Sequence, residues 1–196
     1  LKIKRWIAVI GSLVIIIGAA WIIYVKLALN FSVDTELAGV KYQLEVAGEE
    51  SEPAAVVIQG KLLTSLIGER VFKGIVQVAG EQIPVPEDQR RIEIHFTKDG
   101  WGAIMYPYFI YDEHTGAVKD AKVYQSHSIF ASKDFSQVTL LLSSPVQQAD
   151  YEVGTSQSVW NAENGMMLSA PASTRQEALA ISNKLMQDFL RGKTLR

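Results

Sequence analysis

The sequence predicts an α+β protein: an N-terminal transmembrane helix, then an antiparallel β-meander bent into a curved sheet or barrel, with a C-terminal amphipathic helix packed on it. Three observations predict this. Trp6 to Val25 is a run of twenty residues without a charge, long enough at about 1.5 Å per residue to cross the roughly 30 Å hydrocarbon core of a bilayer. From Val40 to Ala170, apolar residues recur mostly at every second position between short turns, which is the period of half-buried strands. From Thr174 the period lengthens to that of a helix.

The first stretch is apolar all round, so it reads as a spanning helix and not as an amphipathic one lying in the interface. Trp6 stands at one end and Trp21 with Tyr24 at the other, where amphipathic rings favour the headgroups. Lys2, Lys4 and Arg5 precede it with no acid among them, which keeps the amino end in the cytoplasm and sends the rest outside. Gly18, Ala19 and Ala20 resemble a signal-peptide cleavage site, but the apolar run continues through Trp21, Ile22, Ile23, Tyr24 and Val25, which favours an uncleaved signal anchor. The predicted divisions are a cytoplasmic stub over 1–5, the span over 6–25, a linker over 26–36 and an extracytoplasmic domain over 37–192.

Val40, Tyr42, Leu44 and Val46 alternate with polar residues as one strand; Val56, Ile58, Gly60 and Leu62 form the next, and Phe72, Gly74, Val76 and Val78 a third. Glycines inside strands predict bulges or close backbone approach, which curl a sheet. Ile83-Pro-Val-Pro86 is extended chain that a central strand would not accept. Ile92, Ile94 and Phe96 lead through Lys98-Asp99-Gly100, a tight hairpin turn, into Trp101–Tyr111. Asp112 to Gly116 is a second hairpin loop before Val118–Ala131; Val138–Leu142, Tyr151–Trp160 and Met166–Ala170 follow. Thr174 with Glu177 makes a capping box, Ala178, Ile181, Leu185 and Phe189 form one stripe, and Gly192 ends a helix predicted over 174–191.

Composition excludes several functions. There is no cysteine, hence no disulfide, thiol catalysis or thiolate metal site. Beyond the span and Lys26, 15 basic residues face 21 acidic ones, a net charge of −6 that suits neither nucleic acid nor anionic lipid. An exported domain without disulfides fits a bacterial cell envelope.

The three histidines, His95, His114 and His127, are 19 and 13 residues apart, which matches no metal-ligand spacing, so neither a metal nor another cofactor is expected. Ser126-His127-Ser128 lacks a nucleophile elbow. Asp112 and Glu113 read as a solvated hairpin tip, and Arg90 with Arg91 as a weak anion site. The densest unusual cluster is aromatic, Trp101, Tyr106, Tyr108, Phe109 and Tyr111 around Pro107, and from it Trp101, Tyr106, Tyr108 and Tyr111, joined by Trp160, form the expected ligand or partner face. The expectation is therefore a membrane-anchored, non-catalytic interaction module. Its partners are the bilayer, through 6–25, and another membrane or envelope protein. The rival readings are a small-ligand carrier with a cavity lined by Val76, Val78, Phe96 and Leu140, and an envelope hydrolase with Ser126, His127 or His95 in a cleft beside an acid.

Overall fold

Alternation along the strands resolves into two apolar layers separated by one sheet. A computed structural model describes residues 15–19, 21–22, 30–44, 51–143, 160 and 164–196. Within them, β1 (Asn30–Gln43), β2 (Ser51–Thr64), β3 (Arg70–Val78), β4 (Ile92–Phe96), β5 (Trp101–Tyr111), β6 (Val118–Ala131), β7 (Val138–Leu142) and β8 (Met166–Ala170) form a single antiparallel sheet in the order β4-β3-β2-β1-β8-β7-β6-β5. The two outermost strands, β4 and β5, are joined by the turn in which Thr97 N–H donates to Trp101 O at 2.8 Å and Gly100 N–H to Thr97 O at 3.0 Å. The sheet therefore nearly closes into a barrel.

Side chains pointing inward fill the barrel: Val56, Ile58 and Leu62 of β2, Phe72 and Val76 of β3, Ile92 and Ile94 of β4, Ile104 of β5, Ile129 of β6, Leu140 of β7 and Leu168 of β8 are buried in one cluster. A second cluster lies on the outer face, where Val40, Tyr42, Phe130, Leu141 and Met167 meet Ala178 and Met186. Val138 to Leu141 are all buried because β7 is covered on both faces, and for the same reason that strand is apolar at every position but Thr139.

The cover is α1 (Arg175–Leu185), packed on β1, β7 and β8 and followed by α2 (Gln187–Leu190). Thr174 Oγ1 accepts from Glu177 N–H at 3.2 Å, as expected of a capping box, while the Glu177 carboxylate accepts at 2.7 Å from Ser173 N–H, one residue before the N-cap. Under α1 lie four buried hydroxyls. Ser182 Oγ is 2.6 Å from Tyr42 Oη, 2.7 Å from Ser169 Oγ and 3.2 Å from Thr139 Oγ1, and it also donates to Ala178 O at 3.0 Å. Each group satisfies another, which removes the cost of burying hydroxyls between a sheet and a helix.

Two boundaries differ from expectation. β1 starts at Asn30, inside the stretch read as a linker, because Phe31, Val33 and Leu37 carry an alternation that Thr35 interrupts; this half of β1 pairs with β2 from Asn30↔Leu63 onward. The single helix expected over 174–191 is two, broken at Met186, whose side chain turns into the outer cluster and whose N–H still reaches Ser182 O at 2.9 Å. The break sets the Phe189 ring edge-on to Phe130 at 5.1 Å. Of the apolar stretch 6–25, residues 15–19 and 21–22 are helical and the rest lies outside the described residues. Among the described residues no helix is long and apolar enough to cross a membrane. All but Trp160 of the strand expected at Tyr151–Trp160 also lies outside them.

At the barrel end where β1 enters, the Ser132–Gln137 loop folds Phe135 inward with φ 58°, fully buried. Asp134 holds this loop by accepting from the hydroxyls of Ser132 and Ser136, both at 2.7 Å, and from Ser136 N–H at 3.1 Å. Those bonds, the Ser132 hydroxyl first, pull its carboxyl down to about 2 from the ordinary 3.8. A carboxyl depressed on folding stabilises the fold above its unfolded value and loses that contribution as pH falls toward the folded one. Asp134→Asn is accordingly expected to flatten the loss of thermal stability between pH 3.8 and about 2, measurable by melting curves across that range.

Candidate functional site

The β5–β6 hairpin carries most of the aromatic cluster, and alternation divides it. Even-numbered Tyr106 points into the barrel, where its hydroxyl donates to Val76 O at 3.0 Å; burial pushes its pKa up to about 12, so it stays a neutral donor. Tyr108 is half-buried against the same core, and Tyr124 lies across from Tyr106 with ring centroids 6.2 Å apart. Trp101 and Trp160 belong to the outer layer beneath the helices, Trp160 donating its indole N–H to Met166 O at 3.2 Å. Tyr111 alone of the five expected residues is exposed. The five therefore do not form one face.

A different face replaces it. Val118 to Val123 of β6 are exposed on both sides, so the alternation of a half-covered strand vanishes and the hairpin projects as an arm beyond the barrel. On its outer side, Pro107 pairs with Val123, Phe109 with Ala121 and Tyr111 with Val118. Met105, Pro107, Phe109, Tyr111, Val118 and Val123 are all exposed there, and the rings of Phe109 and Tyr111 stand 6.4 Å apart. Asp112 builds the tip: one carboxylate oxygen accepts from the N–H groups of His114 and Thr115 and from the Thr115 hydroxyl, which holds its carboxyl below the usual range.

The arm's free edge is closed by a side chain. β4 reaches only part of the way along β5, and beyond it Pro107 has no N–H to offer. At Phe109 the Gln89 carboxamide takes the place of a neighbouring strand's peptide group: its oxygen accepts from Phe109 N–H at 2.7 Å and its nitrogen donates to Phe109 O at 3.1 Å. An unprotected edge invites pairing with a second chain. Gln89→Ala should therefore produce concentration-dependent self-association, read by sedimentation velocity, while Gln89→Asn, one methylene shorter, should only partly prevent it.

Beneath the arm lies a His–carboxylate pair. β5 and β6 slip register between Ala103 and Met105, and this bulge buries both of the consecutive residues Ser126 and His127. His127 Nε2 is 2.6 Å from Glu81 Oε1, and Ser143 N–H donates to His127 Nδ1 at 3.2 Å. The ring proton therefore sits on Nε2 and points at Glu81, and neither nitrogen is left to activate a nucleophile. Arg90 clamps the intervening loop by donating to Val85 O at 2.8 Å and Ile83 O at 3.2 Å, which sets Ile83 and Val85 into the core between β3 and β5. Inside, Val76, Val78, Ile104, Tyr106, His127 and Leu140 enclose about 10 Å³, space for one water at most. A carried ligand has no room there.

His95 lies exposed on β4 beside Glu93 at 3.0 Å, and His114 on the arm tip. Among the described residues no three His, Asp or Glu side chains converge as metal ligands.

Comparison with protein-family models, curated proteins and solved structures returns no match. The site is thus described by its own geometry: a projecting apolar arm, an edge sealed by Gln89 and a packed barrel below. Sequence reading missed Gln89 and the Glu81–His127 pair. Both are tertiary contacts of loop residues with strands, and neither leaves a periodic trace.

Proposed function

We propose that this protein is a single-pass membrane protein of the cell envelope. In this reading Trp6–Val25 anchors it with the amino end in the cytoplasm, and the barrel outside is a non-catalytic interaction module. The arm is its docking element, and the partner is another membrane or envelope protein. One observation carries the reading: six apolar side chains of the β5–β6 arm, Phe109 and Tyr111 central among them, face solvent together on a hairpin that stands clear of the barrel. Continuous apolar surface of this kind marks interaction sites, and paired rings on a short, braced hairpin lose little freedom on binding. The packed interior argues against a carrier, and the committed nitrogens of His127 against a hydrolase.

The test is a photoreactive phenylalanine analogue placed at Phe109 in intact membranes. A single reproducible crosslinked protein, lost when Tyr111→Ser and Val123→Ser are added to a chain that still folds, is the expected result. Crosslinks that ignore those changes, or none at Phe109, would remove the arm as the docking element. Release of the chain from membranes by alkaline carbonate would remove the anchor.

A further inference from the structure

We infer that the β2–β3 turn is a second membrane contact, in which Leu66 and Ile67 insert among the lipids around the anchor and hold the entry end of the barrel against the bilayer. The inference rests on the anchor reading proposed above. Leu66 and Ile67 are 83% and 82% exposed, the most exposed of the large apolar side chains among the described residues. They are also neighbours at the two central positions of a turn, where Gly68 N–H donates to Ser65 O at 2.9 Å. Those positions ordinarily carry Gly, Asn, Asp or Pro.

The turn is braced. Ser65 N–H donates to Glu69 O at 2.8 Å, Glu69 N–H donates to Ser65 Oγ at 3.0 Å, and Gly68 supplies the positive φ of +87° that closes it. Both side chains are thus presented on a fixed support, and little conformational freedom is lost when they are buried.

Position supplies the occupant. Asn30, the first residue of β1, pairs with Leu63, so the turn lies just past the point where the chain enters the barrel and points back the way it came. Four residues separate Val25 from Asn30, so the five steps between them reach at most about 18 Å even when fully extended. An anchor ending at Val25, as proposed above, would therefore bring this turn close to the bilayer. Phe31, 46% exposed and paired with Leu62, continues the apolar surface. Beside the turn, an open cleft of about 470 Å³ is lined by Phe31, Leu62, Thr64, Gly68, Arg70, Lys133 and Asp134. Lys133 stands there beside Asp134, next to the apolar tip, while the Arg70 guanidinium is turned to Ala131 O and Ser132 O; a lysine beside an apolar tip suits the interface between lipid tails and headgroups. The docking arm extends from the opposite end, since β5 runs from Trp101 at the entry end to Tyr111 at the far end.

The chain has no cysteine, so Ile67→Cys and Thr115→Cys each accept one nitrobenzoxadiazole label at a single site. The full chain is reconstituted in phosphatidylcholine vesicles with and without doxyl-labelled phosphatidylcholine. The label at position 67 should shift to shorter wavelength and lose most of its emission to the doxyl lipid, the label at position 115 should do neither, and adding Leu66→Asp should reverse the quenching at 67. If the chain resists carbonate extraction while the label at 67 behaves like that at 115, the turn does not touch lipid and the anchor reading stands. If carbonate releases the chain, both fail.

Discussion

Gly74→Val is expected to cost about 3 kcal/mol of stability, or more, at the upper end of what overpacking a core does. Gly74 and Gly60 face each other across β3 and β2, and both are inside strands. A Cβ built on Gly74 overlaps the Gln59 carbonyl oxygen, lies 2.6 Å from Gly60 Cα and 2.8 Å from Phe72 Cζ. The first two are backbone atoms of the neighbouring strand and cannot swing aside. The third is the ring that roofs both glycines and fills the barrel at this level. A valine therefore has to part the strands and expel Phe72 together. Thermal and urea melts would measure it, and a variant that unfolds with the wild type would mean that the two strands are not in this register.

Phe135→Ala should cost about 3–5 kcal/mol, the usual penalty for emptying the site of a buried phenylalanine. Its ring closes the entry end of the barrel, 5.1 Å from Phe72 and 5.8 Å from Phe96, with no exposed surface. Its backbone sits at φ 58°, a conformation that costs any residue with a Cβ about 1 kcal/mol or more. The two terms can be separated. Phe135→Gly removes the same ring but fits that backbone without strain, so it should be the less damaging of the two substitutions, against the usual ranking of glycine below alanine. If Phe135→Gly proves worse than Phe135→Ala, the loop is not held in the left-handed region.

The succession of strands along the chain was legible in the sequence because most carry their own alternation and turn, but their order in the sheet was not, since the pairing that sets β8 between β1 and β7 leaves no local signal. Lys98-Asp99-Gly100 and Asp112 to Gly116 lie where expected, and Gly60 with Gly74 mark the close approach that glycines inside strands imply. The C-terminal helix was legible from its cap and its stripe, though not its break, because a methionine at position 186 carries no stop signal. The site was legible only as a composition. A list of aromatics along one strand does not reveal that Tyr106 faces inward, that Trp101 lies under the helix layer, or that Phe109 and Tyr111 are left outside. That division depends on where the barrel ends and the arm begins, which is set by the shortness of β4 and the bulge at Ser126–His127. Leu66 and Ile67 were passed over for a simpler reason: two aliphatic residues between strands carry no turn signal of their own, and only the hydrogen bonds of the turn reveal them as its tip.

The place of β8 bears on how the chain can be made. β1 to β4 form one run of neighbours and β5 to β7 another, and β8 is the strand that lies between β1 and β7 and unites them. Val40 finds its partner Ser169 only when about 130 further residues have been synthesised. Until then the growing chain is two open half-sheets joined through the β4–β5 hairpin, with the edges of β1 and β7 bare. An interrupted or clipped product lacking β8 has no way to shut, and presents unpaired strand edges to proteases and chaperones. Closure of the sheet thus waits on β8, so that the fold itself distinguishes chains that carry this strand from those that do not.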